Sequence, residues 1–312
     1  MAATSRVLDA GESAVGRRHA EGALDLASRL PRLVLEARRV AASSAYGVHG
    51  RRKAGPGETF WQFRAFSPGE PANRIDWRRS ARDDRTFVRE REWEAAHTVA
   101  LWFDRSPSMA YVSTLALAPK IDRALVVGLA LGDLLVRAGE RVGLLGGGPA
   151  TASRSIVDRL AQALVEAERA GTPGSGEDDE LPPGVPLHPM AETLLLTDGL
   201  LPVERMERRI EAISSRGARG HLLLVADPVE ETFPFSGHAE LFDLEVGARL
   251  RVGSAESFRV VYLARLAEHR ERLAIACRRR GWSFGVHRTD RPASGAVLSL
   301  MTAVQAGRRD QL

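Results

Sequence analysis

Two hydrophobic periods alternate along this chain. Short apolar runs closed by polar turn residues read as buried strands: Val99–Phe103, Arg141–Leu145, Thr193–Thr197, His221–Ala226 and Trp282–His287. Between them, apolar residues recur every third or fourth position and predict helices over 118–138, 155–170, 203–216, 259–280 and, shorter, 295–306. A less regular stretch with β character separates the fourth strand from the long helix and contains Phe242-Asp243-Leu244-Glu245. Strand and helix in alternation predict an α/β domain, with a doubly wound, mostly parallel sheet and helices on both faces. Upstream, Ala23, Leu26, Leu30, Leu33, Val34, Ala37 and Val40 form an amphipathic stripe over about 20–42, which Pro31 is expected to break in two. The fold class is thus α/β with a small N-terminal helix and a β-rich extension. Its expected parts are a loose N-terminus with the amphipathic helix (1–50), a basic aromatic module (51–98) and the α/β domain (99–312).

Within 51–98, Phe60, Trp61, Phe63, Phe66 and Trp77 are expected to form a small core with arginines stacked on the rings. Residues 86–93 read as extended and run on into the central strand. Between Arg51 and Arg91 there are 11 basic and 6 acidic residues. Basic residues interleaved with aromatics make a nucleic-acid surface the alternative reading. Asp76, Asp83, Asp84 and Glu90 dilute that field and can pair with the arginines instead, so no nucleic-acid partner is expected.

Composition narrows the class. The 312 residues, 44% hydrophobic and 27% charged with a net charge of +4, suit one large globular domain plus a small module. Arginine far outnumbers lysine, of which only Lys53 and Lys120 occur. A single cysteine, Cys277, excludes a disulfide framework and a cysteine-based metal site, and it suits a reducing cytoplasm. No secretory leader pattern is visible. The longest apolar stretch, 124–136, is interrupted by Asp133 and falls short of the roughly 20 residues that span a bilayer. The expected location is cytoplasmic.

The candidate chemistry lies where the first central strand ends, in Asp104-Arg-Ser106-Pro-Ser108. In an extended loop, period two turns Asp104, Ser106 and Ser108 to one side, and Pro107 biases Ser106 away from the helical region. A later strand ends in Thr197-Asp198-Gly199. Two carboxylates and two hydroxyls at the carboxyl edge of a parallel sheet are the hard oxygen donors that Mg²⁺ takes, with Mn²⁺ as the alternative. The plainer reading is that these residues turn the chain and cap a helix. Gly146-Gly147-Gly148 lacks the Gly-Lys-Ser/Thr of a phosphate loop. A phosphotransferase using Asp104 as nucleophile would want a second aspartate at position 106 and a supporting lysine, and no lysine stands in an obvious place for it. There is no Gly-x-Ser-x-Gly elbow either. No enzymatic activity is expected.

The order of these motifs resembles von Willebrand factor A-like domains: strand, Asp-x-Ser-x-Ser, helix, Val-Gly-Leu strand, then strand and Thr-Asp-Gly. The upstream block Phe63-Arg64-x-Phe66-x-Pro68-Gly69-Glu70-x-x-Asn73-Arg74-Ile75-Asp76-Trp77-x-x-Ser80-Ala81-Arg82 resembles the bacterial family called domain of unknown function 58, as do Asp227-Pro228 and Phe242-Asp243-x-Glu245. The resemblance implies a metal-ion-dependent adhesion site in which Ser106 and Ser108 bind Mg²⁺ directly and Asp104 and Asp198 act directly or through water. A middle-loop threonine completes such sites, for which Thr172 is the candidate and Thr151 the weaker one. It also implies a non-enzymatic adaptor that captures an acidic motif of a protein ligand. Such an adaptor would work with a MoxR-type AAA+ ATPase in chaperone-like assembly, with peripheral contact with membrane proteins.

Overall fold

The computed structural model describes residues 24–45, 60–66, 75–82, 85–91, 97–170, 181–189, 191–245 and 247–309. The chain divides into two compact units, Met1–Val48 with His97–Leu312 and His49–Ala96.

In the larger unit, helix α1 covers 24–45. A proline inside a helix costs on the order of 3 kcal/mol. Yet α1 runs through Pro31 without a break, contrary to the expectation. Pro31 sits on the exposed face, where water can take the freed carbonyl, while Leu26, Leu30, Leu33, Ala37 and Ala41 are buried beneath. Burying each leucine returns about 1.5–3 kcal/mol, enough to outweigh the break.

The central sheet has five strands, all parallel. These are β3 (Thr98–Phe103), β4 (Arg141–Leu144), β5 (Ala191–Thr197), β6 (Arg219–Ala226) and β9 (Ser283–Arg288), in the order β4-β3-β5-β6-β9. Period two sorts each strand's residues between two cores. Val99, Leu101, Phe103, Leu194, Leu196, Leu223 and Val225 face α1, α3 (Lys120–Arg137), α4 (Ile156–Ala170) and α8 (Ala293–Arg309). Ala100, Leu195, Leu222 and Leu224 face α5 (Val203–Ser214) and the C-terminal half of α7 (Ala255–Arg279), where Cys277 and Trp282 are also buried. The near-continuous apolar strands of the sequence are therefore strands covered on both faces, in the doubly wound arrangement expected. Helix α3 lies between sheet and outer helices and is buried from Lys120 to Val136. It approaches β3 closely: a Cβ at Gly128 would come 2.4 Å from the Phe103 ring.

Chain order in this sheet reverses between β3 and β5. From β3 the chain crosses to β4 on one side and then to β5 on the other, which leaves a crevice beyond their carboxyl ends. After β6 come a one-turn helix α6 (Pro228–Thr232) and a separate antiparallel hairpin, β7 (Ala239–Phe242) with β8 (Arg249–Val252). Among the described residues no helix is long and apolar enough to cross a membrane.

In the smaller unit, β1 (Phe60–Ala65) pairs antiparallel with β2 (Phe87–Arg91), and a single-turn helix α2 (Trp77–Ser80) is capped by Asp76, whose carboxylate accepts the Arg79 N–H at 2.9 Å. One detail differs from expectation. Trp77 is 66% exposed and builds no core, and the side chains at 60–64 lie outside the described residues. The extended segment over 86–93 contributes β2 to this hairpin, with residues 92–96 outside those described. Ring stacking by arginine does occur, with the Arg79 guanidinium 5.0 Å from the Phe87 ring centroid.

Candidate functional site

The crevice beyond β3 and β5 gathers four of the five residues singled out in the sequence. Ser106 is extended (φ −58°, ψ 155°), as the following proline requires. Pro107 then starts a 3₁₀ turn over Pro107–Ala110, so the loop is not extended throughout. A proline nitrogen has no hydrogen to lose at a turn's first position. The tight turn still brings the Ser108 hydroxyl back to 3.2 Å from that of Ser106. From the other strand, Asp198 accepts the Ser108 hydroxyl proton at 2.6 Å. The turn after Asp198 needs Gly199, whose φ is +69° and whose missing Cβ would lie 2.6 Å from Leu224 Cδ2.

Asp104 lies deepest, 1% exposed. One of its oxygens accepts the Ser106 N–H at 2.9 Å and the other the Thr197 hydroxyl at 2.6 Å. Burial, and then the charge of Asp198, push its carboxyl up to about 6, against those two hydrogen bonds. The Ser106 bond is the local turn of the plainer reading; the convergence on Asp198 is not.

Lys120 was missed by the sequence reading and corrects it, because a lysine does stand beside these carboxylates. It opens α3, where the helix dipole disfavours a cation, and is wholly buried. Its Nζ donates to Asp198 at 2.9 Å and to Glu230 of α6 at 2.5 Å. Burial works against the ammonium, but Asp198 and Glu230 outweigh it and hold the Lys120 pKa above its ordinary value. Burial raises the Glu230 pKa despite Lys120. Glu230 is fixed by a capping box, its second oxygen accepting the Asp227 N–H at 2.8 Å while Asp227 caps α6. The available signal was the lysine at a helix start, ahead of an apolar helix, with acids at two later strand ends.

Glu245, on the loop between β7 and β8, closes the crevice from outside; its carboxylate accepts the Ser108 N–H at 2.8 Å. Four carboxylates, Asp104, Asp198, Glu230 and Glu245, thus gather at this edge with one ammonium, which Asp198 and Glu230 share. Behind them opens a cavity of about 700 Å³ with apolar walls that include Leu200, Leu201, Phe233, Phe235 and Tyr262. Phe233 holds a left-handed backbone (φ 44°) at the end of α6. That conformation costs a non-glycine residue on the order of 1 kcal/mol. Its ring is buried against Phe235, Phe258 and Tyr262, which offsets the strain.

The other candidates fall elsewhere. Thr172 lies outside the described residues. Thr151 bridges to Val142 of β4 and does not line the cavity. Among the described residues no group of three or more His, Cys, Asp or Glu has a metal-holding arrangement; the donors on offer are two carboxylates and two hydroxyls. They fit a hard cation on two counts. Their oxygen spacings, 2.6 and 3.2 Å, bracket the roughly 3 Å between neighbouring ligands of an octahedral Mg²⁺ with ~2.1 Å bonds. The surplus of carboxylate over ammonium is what a cation neutralises.

The model of the family described as protein of unknown function DUF58 matches residues 62–272. The chain belongs to the DUF58 family. The match takes in the β1–β2 unit from Gln62 on and the candidate site from Asp104 through Glu245. No curated protein matches this DUF58 chain. Among solved structures it is similar to BatB, a conserved hypothetical protein from Bacteroides thetaiotaomicron, at 14% identity and a TM-score of 0.37, over 69% of this chain and 100% of that one. It is also similar to an aerotolerance-related membrane protein from Bacteroides fragilis NCTC 9343 carrying multiple mutations to serines. That likeness has 14% identity and a TM-score of 0.39, over 68% of this chain and 100% of that one.

Proposed function

We propose that this DUF58 protein is a non-enzymatic, Mg²⁺-dependent protein-binding adaptor. One observation carries the reading: Asp104, Ser106, Ser108 and Asp198 converge at the switch point of the sheet, with more carboxylate than Lys120 balances. Asp104, Asp198 and the two serine hydroxyls would hold the cation, and Thr172 remains the candidate from the middle loop. When bound, the cation supplies a Lewis-acidic position to which a partner's carboxylate can bind. The chain's own residues orient that exchange. Thr197 and the Ser106 N–H hold Asp104 in place, and Lys120 holds Asp198. The MoxR-type AAA+ ATPase, the peripheral contact with membrane proteins and the chaperone-like role in assembly come from the family resemblance, and the cytoplasmic setting from the single cysteine.

Calorimetric titration of Mg²⁺, then Mn²⁺, into the full chain tests the reading. Saturable heat that disappears in Asp104→Ala is the expected result. Equal heat in the variant, or none in the wild type, would overturn it.

A further inference from the structure

The tip of the β7–β8 hairpin lies on the site as a ligand would. Its strands pair with each other and not with the five-stranded sheet. A lone two-stranded hairpin is marginal by itself, and this one puts away little apolar surface: Phe242 is 56%, Leu244 49% and Leu250 51% exposed. The tip is shaped by Asp243, whose side-chain carboxylate accepts the Glu245 N–H at 2.8 Å and whose backbone carbonyl accepts the Gly247 N–H at 3.0 Å. What ties it to the sheet edge is a carboxylate: Glu245 takes the N–H of Ser108, one of the residues that would hold the cation.

The cavity behind that contact has two kinds of wall. Its polar end is Asp104, Ser106, Ser108 and Asp198; the rest is aromatic and aliphatic, from Phe233, Phe235, Leu200 and Tyr262. Phe242 and Leu244 of the hairpin line the same cavity while staying half exposed. The chain's own segment Phe242-Asp243-Leu244-Glu245 therefore presents a carboxylate to the polar end and apolar side chains to the apolar end, and buries the latter poorly. Phosphate ligands suit this cavity badly because of its surplus carboxylates.

We infer that the 243–248 loop is an internal ligand: Glu245 occupies the place of a partner's carboxylate, and the partner is a peptide segment with an acidic residue next to a large apolar one. The inference rests on the reading of this edge as a carboxylate-capture site. A segment that buries its apolar side chain fully displaces the hairpin tip, and so the loop sets a threshold that excludes weakly bound acidic peptides.

The test uses the full chain and a fluorescein-labelled synthetic peptide copying residues 239–248, followed by fluorescence anisotropy with Mg²⁺ and with chelator. Removing the internal competitor in Glu245→Ala should tighten peptide binding by about tenfold. A peptide with glutamine in place of its distal glutamate should lose that gain. In the wild-type chain, excess peptide should speed amide exchange in 243–248, a readout that needs no variant. Equal affinity of wild type and Glu245→Ala, indifference to the glutamine substitution, or unchanged exchange would each overturn the inference. If Mg²⁺ heat persists while these fail, the internal ligand alone is wrong. A gain in chelator from a chain that gives no Mg²⁺ heat would keep the internal ligand and overturn the metal reading.

Discussion

The two ends of the central sheet both bury polar side chains, on opposite terms. At the amino ends, Glu192 of β5, His221 of β6 and Ser283 of β9 form a chain across neighbouring strands. His221 Nε2 is 3.4 Å from Glu192 Oε2, and its Nδ1 is 2.7 Å from the Ser283 hydroxyl. One carboxylate meets one imidazole and one hydroxyl. At the carboxyl ends, Asp198 and Glu230 share one ammonium, and two further carboxylates, Asp104 and Glu245, line the same open cavity. The first arrangement pairs one buried acid with one imidazole, and the second leaves charge for something else to neutralise. Surplus carboxylate beside a cavity, more than the presence of buried polar groups, singles out the candidate site.

The sharpest way to break this comparison is to remove the ammonium that Asp198 and Glu230 share. Lys120→Met keeps the volume but leaves Asp198 and Glu230 buried without a countercharge. Losing one partner of a buried pair costs about 3–5 kcal/mol. Urea denaturation at neutral pH should show that loss, and Mg²⁺ should restore part of it if Asp198 holds the cation. A change of under about 1 kcal/mol, the range of exposed pairs, would mean that the carboxylates at this end are solvated and carry no unmet charge.

The carboxyl edge itself changes sign along the sheet, and His287 on β9 reports it. Burial, and then the charge of Arg123 from α3, push its pKa down to about 4, with Asp290 opposing. Its Nε2 has no hydrogen-bond partner. The unfolded chain, with an ordinary histidine near 6.5, therefore binds more protons than the folded one between pH 4 and 6.5. His287 thus withdraws stability as the pH falls through that window, by up to about 3 kcal/mol. Asp104, raised to about 6, acts in the opposite sense between 3.8 and 6, so the wild-type profile alone hides both. The difference between His287→Leu and wild type isolates the histidine. It should grow in favour of the variant from pH 6.5 to pH 4; a difference independent of pH would refute the assignment.

Much of this was legible in the sequence because it rests on period. Strands covered on both faces read as apolar runs, and the reversal of order around β3 puts Asp104 and Asp198 together once the strands are parallel. The Asp-x-Ser-x-Ser motif was found for the same reason: its spacing is local. Lys120 and Glu230 were not legible, since their meeting depends on how α3 and α6 dock over the sheet edge, 110 residues apart in the chain. Glu245 was visible only as part of a resemblance; that its carboxylate reaches Ser108 depends on the fold of a hairpin with little periodic signal. Pro31 misled because a local cost was set without the leucines that α1 buries.

The smallest expected effect belongs to the amino end. Ser283→Ala removes the hydroxyl beside His221 Nδ1, at a cost of about 1 kcal/mol for a neutral hydrogen bond lost in a part-buried place. The comparison requires more than this number: the Mg²⁺ titration of Ser283→Ala should match that of the wild type in heat and affinity, because this cluster sits at the opposite ends of the strands from the cation's donors. If the variant instead altered cation binding, charge would be shared between the two ends through β5, which carries both Glu192 and the Thr197-Asp198 turn. Their separation into a paired end and an open one would then fail.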